Sequence, residues 1–192
     1  RRRAAGRARA AARPQANEAF RDAVAPARQA LVAALAAATS GPQRRAAKIA
    51  YGDAILPAKV ARKAALQSAR IDYVEAAEQA RIDFLTIRGA HPEVVASARY
   101  RQAVNLATAE YRAAVTDAQA TFRIQSAPIR ITTRTAGSSA SAGQVSHGAA
   151  ESIRIATADI TGVFRSQVSS ARATYQAKIS VACKILGTSL AT

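Results

Sequence analysis

Apolar positions along the middle of this chain recur every eleven residues. Cut from Ala47, the sequence reads AKIAYGDAILP, AKVARKAALQS, ARIDYVEAAEQ and ARIDFLTIRGA, each block opening on Ala, a basic residue and a β-branched residue. Eleven residues in three turns is close to the natural pitch of an α-helix, so an apolar stripe of this period runs nearly straight. At about 98° per residue, Ile49, Val60, Ile71 and Ile82 form one stripe with Val74 and Leu85. Tyr51, Tyr73 and Phe84 lie roughly opposite, with Ile55, Leu66 and Ala77, and a line of Lys48, Lys59, Arg70 and Arg81 runs between the two stripes. The pattern predicts a helix over about 43–88 that needs a packing partner on each of two sides.

The flanking segments extend this picture. Asn17 is a candidate N-cap for a first helix carrying Phe20, Val24, Leu31 and Leu35, stopped by Ser40-Gly41-Pro42 and expected to kink or split at Pro26. Gly52 and Pro57 predict a break near Leu56 in the second helix, and Gly89 with His91-Pro92 marks its end. A third helix, about 93–125, spaces Tyr100, Tyr111 and Phe122 eleven apart, as it does Val104 and Val115, and Ala107 and Ala118. PIRITTRT, residues 128–135, alternates Ile and Thr against Arg, Thr and Arg, which predicts one strand. A lone strand needs another edge to pair with. AGSSASAGQVSHG then has linker composition, and a fourth helix over about 149–187 restores the period through Ile153, Phe164, Tyr175 and Leu186. The third and fourth helices read as one-sided.

The expected fold is therefore all-α: an elongated bundle of long hendecad-repeat helices with one isolated strand in a linker. Four regions follow: a basic Arg-rich arm (1–15), a three-helix region with a long helical hairpin turning at Gly89 to Pro92 (16–125), a linker with the lone strand (126–148), and a long C-terminal helix (149–192). The second helix is the expected centre, packed by the third and fourth helices, by neighbouring subunits, or by both.

Composition strengthens the helical reading, since 49% of the 192 residues are apolar while only 5% are aromatic. Ala-rich chains with few aromatics favour long helices over sandwiches and barrels. The formal charge of +16 is uneven, with +11 in residues 1–63 and +5 in the rest. This points to a polyanionic partner at the N-terminal third, where Arg1, Arg2, Arg3, Arg7, Arg9 and Arg13, with Arg44, Arg45 and Lys48, are the candidate phosphate contacts. No apolar run approaches the roughly 18 residues of a membrane span.

Catalytic chemistry finds little support. His91 and His147 have no partner at metal-ligand spacing. Asp72, Glu75 and Glu78 share a helix face, but a di-metal or acid–base set in a bundle needs a Glu-x-x-His partner, which is missing; Glu78 is expected to pair with Arg81. Neither a phosphate loop nor a Gly-x-Ser-x-Gly elbow occurs. Cys183, the single cysteine, is expected as a small buried hydrophobe. No catalytic residue, metal or cofactor is expected.

Three functions fit the pattern. The first is a non-enzymatic structural subunit of a large assembly of virion, sheath or filament type. It would be built by helix packing through Ile49, Val60, Ile71, Ile82, Tyr73, Phe84, Tyr100, Tyr111, Phe122, Phe164 and Tyr175, with the basic arm on nucleic acid or an acidic partner. Homo-oligomers or other subunits of the assembly are then its partners. The second is a sequence-nonspecific nucleic-acid-binding protein. The third is an amphipathic helical coat on an anionic lipid surface.

Overall fold

The computed structural model describes residues 2–139 and 147–190. Among them the chain forms five helices and no strand: α1 (Arg2–Ala37), α2 (Gly41–Ala54), α3 (Leu56–Ile87), α4 (Pro92–Ser139) and α5 (His147–Leu190).

The helix ends follow local chemistry. Ser40, in extended conformation, caps α2 through a reciprocal pair: its hydroxyl accepts from the Gln43 amide at 3.4 Å, and Gln43 Oε1 accepts from the Ser40 amide at 3.1 Å. Ile55 separates α2 from α3, two residues before Pro57, which has no N–H to give the Asp53 carbonyl. Gly89, at φ 65°, closes α3. Its amide reaches the Thr86 carbonyl at 3.1 Å and the Ala90 amide reaches Leu85 at 3.0 Å, the pairing of a Schellman turn. Pro92 then opens α4, so the expected hairpin turn stands where Gly89 and Pro92 placed it.

Three boundaries differ from expectation. The segment read as a free arm up to residue 15 is the first part of α1, because between Arg2 and Arg13 every residue except Gly6 is Ala or Arg, both strong helix formers. Pro14 and Pro26 are exposed and do not split α1; each removes one backbone bond on the solvent side, where the freed carbonyl can be hydrated. The segment 128–135 is helical, not a strand. No second strand offers it an edge, whereas a helix already running adds a backbone bond for each residue fixed. Of the proposed linker, residues 140–146 lie outside the described residues.

The four long helices pack as a single row, α1 beside α3, α3 beside α4 and α4 beside α5, with α2 against α1 at one end, where it also reaches α3 and α4. α1 touches neither α4 nor α5, and α3 does not touch α5. Neighbours run antiparallel, as the cross-helix pairs show. Arg9 and Phe20 of α1 stack on Tyr73 and Arg62 of α3. Gln67 and Glu78 of α3 bond Thr116 and Asn105 of α4. Tyr111 and Phe122 of α4 meet Tyr175 and Phe164 of α5.

α3 is thus covered on two sides, by α1 on the Tyr73 side rather than by the C-terminal helix. α4 is two-sided as well, which corrects the one-sided expectation. Tyr100, Tyr111 and Phe122 look toward α5, while Ala98, Ala109 and Ala120, all buried, share the opposite side with Asn105 and Thr116 that bond α3. This second stripe is all Ala, so hydropathy does not mark it. The fourth helix rests on α4 alone, with Val168, Ala171, Tyr175, Ile179 and Leu186 half-buried and Ala182 buried.

Such a row has little interior. Among the described residues, nine of the twelve buried apolar ones are Ala, and no side chain is buried below 2% exposure. The chain exposes 12,872 Å², about 1.5 times the ~8,700 Å² expected for a compact monomer of this size.

Candidate functional site

The basic residues singled out in the N-terminal third occupy two separate places. Arg2, Arg3, Arg7, Arg9 and Arg13 are exposed on the first half of α1, and Arg9 lays its guanidinium 5.0 Å from the centre of the Tyr73 ring. Arg44, Arg45 and Lys48 are exposed on α2, which packs against α1 toward its other end. At 1.5 Å per residue, the stretch of α1 from Arg13 to Ala37 spans about 36 Å between the two groups. Arg1 lies outside the described residues.

The packing stripes fare unevenly. Ile82 is buried; Ile49, Val60, Ile71, Tyr73, Tyr100, Tyr111, Phe122, Phe164 and Tyr175 are half-buried in the seams of the row. Phe84 is 56% exposed, touched by the Arg88 guanidinium at 5.1 Å. The reason is register: Arg9 pairs with Tyr73, so Phe84 projects past the N-terminal end of α1.

Seam and direction together sort the remaining charges onto two faces of the row. On α4, Tyr111 points into the α5 seam, so Glu110 and Arg112, each about 100° away, point out of opposite faces. Arg101 and Arg123 follow Tyr100 and Phe122 as Arg112 follows Tyr111, which puts all three arginines on one face. α5 is antiparallel, so the residue after its seam aromatic points the same way as on α4. Arg165, after Phe164, therefore shares the face of Arg112, with Arg172 and with Arg154, the last held by Glu151 at 2.6 Å. On α3, measured from the seam residues Gln67 and Glu78, the line of Lys59, Arg70 and Arg81 comes out on this face too. All of these cations are exposed.

The opposite face is of different character. Asp72, Glu75 and Gln79 border a groove of about 640 Å³ with Ala4, Ala5 and Ala8 of α1. Gln79 continues onto the next groove, with Arg99, Gln102 and Ile185. Glu110 and Asp117 border a third, of about 690 Å³, with Ser166, Ser170, Thr174 and Lys178 of α5, where Lys178 pairs with Glu110. Exposed Val163, Val181 and Ile185 lie on this side of α5. By contrast, the groove between α1 and α3 on the basic face is lined by Arg9, Arg13 and Arg70. On α3 and α4, no acidic residue shares the face of Arg70 and Arg112.

The other reactive groups do not converge. Among the described residues, no cluster of three or more His, Cys, Asp or Glu side chains comes together. Glu78 turns inward and accepts from Asn105 at 2.7 Å. His91 stands 3.9 Å from Glu93 in the α3–α4 turn. Cys183 is exposed rather than buried, and its thiol lies 3.9 Å from Tyr100 Oη. Hydrogen bonding with that thiol and the charge it would carry push the Tyr100 phenol above its ordinary range. No helix among the described residues is long and apolar enough to cross a membrane.

The basic face escaped the sequence reading, although one of its lines, Lys59 to Arg81, is visible there. Its other signal is the dipeptide of an aromatic followed by Arg, at Tyr100-Arg101, Tyr111-Arg112, Phe122-Arg123 and Phe164-Arg165. Comparison with protein-family models, with curated proteins and with solved structures finds no match to this chain.

Proposed function

We propose that this chain is a non-enzymatic structural subunit, built to be covered on its faces by other chains and to hold a polyanion with its basic residues. The observation that carries the reading is the single row. A one-layer array of four long helices leaves two broad faces open, and the chain exposes about half as much surface again as a compact monomer of its size. Domains ordinarily close two layers around one core. Here the second layer would come from other copies or other subunits, and exposed Val163, Val181 and Ile185 supply apolar area for it.

The eleven-residue period supports the same reading. Each seam pairs residues that lie eleven apart on both helices, Arg9 and Phe20 against Tyr73 and Arg62 being one case. A contact that recurs every three turns allows long straight helices to be laid side by side, which suits extended sheaths, shells and filaments. An amphipathic coat on lipid is less well supported, since Arg165 and Arg172 of α5 lie on the face opposite its exposed Val163, Val181 and Ile185.

Light scattering on the purified chain at low and high salt tests this. A particle many times the mass of one chain, stable at high salt, is the expected result. A single 192-residue chain at every concentration and salt would refute it.

A further inference from the structure

The row carries its cations as a two-dimensional array. On α3 and α4, consecutive members such as Arg101 and Arg112 are eleven residues apart, about 16.5 Å along the axis. Neighbouring helices set the lines about 8–10 Å apart. Arg70 and Arg81 on α3, Arg101 and Arg112 on α4, and Arg165 and Arg172 on α5 are all exposed. The face is broad, lacks carboxylates on α3 and α4, and is built on helices rather than on a tail.

We propose that this basic face binds the phosphate backbones of a double-stranded nucleic acid lying along the helices. A duplex repeats every ~34 Å and has two strands, so a straight line drawn along its side meets a backbone every ~17 Å on average. Three α-helical turns match that interval, and several lines side by side meet the backbones as they slant across the duplex. The contacts reach phosphates only, so binding is independent of sequence and steeply salt-dependent. A lipid surface fits less well, because membrane-docked helices place aliphatic side chains on the same side as their cations. This row has Val163, Val181 and Ile185 on the other side, and sets only exposed Phe84 and Val94, near the α3–α4 turn, among the described cations. The inference deepens the polyanion part of the function proposed above, naming the ligand and moving its centre from α1 to α3, α4 and α5.

The test measures binding of the full chain to a labelled DNA duplex of about 30 base pairs by fluorescence anisotropy, from about 50 to 200 mM salt. Two charge-removing variants are compared: R81Q/R101Q/R112Q on the basic face and R99Q/K178Q on the opposite face. The basic-face variant should bind at least about tenfold more weakly, with a salt slope shallower by ~2.7, while the other changes less than about threefold. Equal losses in both would reduce the effect to net charge and overturn the proposal, as would an unchanged basic-face variant. Binding of vesicles rich in phosphatidylserine without binding of DNA would replace it by a membrane surface. A second readout needs no substitution: bound duplex should shield Arg81, Arg101 and Arg112 of the unmodified chain from phenylglyoxal while Arg99 stays reactive, and the reverse pattern would also overturn it. Particle mass measured on the same samples separates the two proposals, since a single chain that binds duplex through this face refutes assembly alone.

Discussion

Tyr111 and Tyr175 face each other across the α4–α5 seam with ring centres 5.4 Å apart and planes inclined at 40°. Eleven residues further on α4, and eleven back on α5, Phe122 and Phe164 repeat the contact at the same 5.4 Å. These two ring pairs anchor the seam together with half-buried Tyr100, Val168, Ile179 and Leu186.

Replacing Tyr111 by Ala should therefore destabilise the chain by about 1–3 kcal/mol, below the range for a fully buried aromatic because the ring is half exposed. Urea unfolding followed by circular dichroism measures it. In the double variant with Tyr175→Ala, the two losses should fall short of additivity by about 0.5–1.5 kcal/mol, and full additivity would show that the rings do not interact.

The Ala stripe facing α3 makes a prediction of opposite sense. Ala109 is 7% exposed and sits where two helix backbones approach closely. Ala109→Leu should cost about 1–3 kcal/mol by overpacking. Ala114→Leu, on the exposed rim of the α4–α5 groove, should be nearly neutral. Equal midpoints for the two variants in urea would contradict the two-sided packing of α4.

Gly89 tests the turn. Its φ of 65° disfavours a side chain, yet a Cβ there would meet no atom within 4 Å. Gly89→Ala should thus cost only the backbone penalty of about 1–2 kcal/mol, and Gly89→Asn less, since Asn tolerates this conformation better. A much larger loss would show contacts that this open turn does not have.

Tyr100 offers a pH-dependent signature. Its phenol is raised by the Cys183 thiol, so its proton is retained to higher pH than in a free tyrosine. Absorbance titration near 295 nm should show one tyrosine with a midpoint above the ordinary 10.0, and Cys183→Ala should lower that midpoint. A midpoint unmoved by the substitution would remove the thiol as the cause.

Much of the fold was legible where single residues decide the backbone. Ser40-Gly41-Pro42, Pro57 and Gly89-Ala90-His91-Pro92 each broke the helices at or within a residue or two of the expected place. Two features failed because charge and β-branching were given more weight than continuity. Arg2 to Arg13 reads as a solvated arm by charge, although its Ala and Arg content is helical. Ile129 to Thr135 alternates like a strand, but no strand stands among the described residues to pair with it. The Ala98, Ala109 and Ala120 stripe stayed hidden because Ala occurs on every face of these helices. The basic face was half visible for a different reason. Lys59, Arg70 and Arg81 form a line in any helix, but joining them to Arg112 and Arg165 requires knowing which helix lies beside which and in what direction.

The absence of contact between α1 and α4, and between α3 and α5, bears on how the molecule comes apart. Apart from α2, which reaches α1, α3 and α4 at one end, each long helix is held only by its immediate neighbours in the row, so stability is largely a sum of seams and not the property of one core. Pulled from its C-terminus, the chain should release α5, then α4, then α3 in separate steps instead of breaking at once. Such a subunit could be drawn lengthwise through an opening one or two helices wide and zip up again on the far side, since every seam it must remake joins segments close together along the chain.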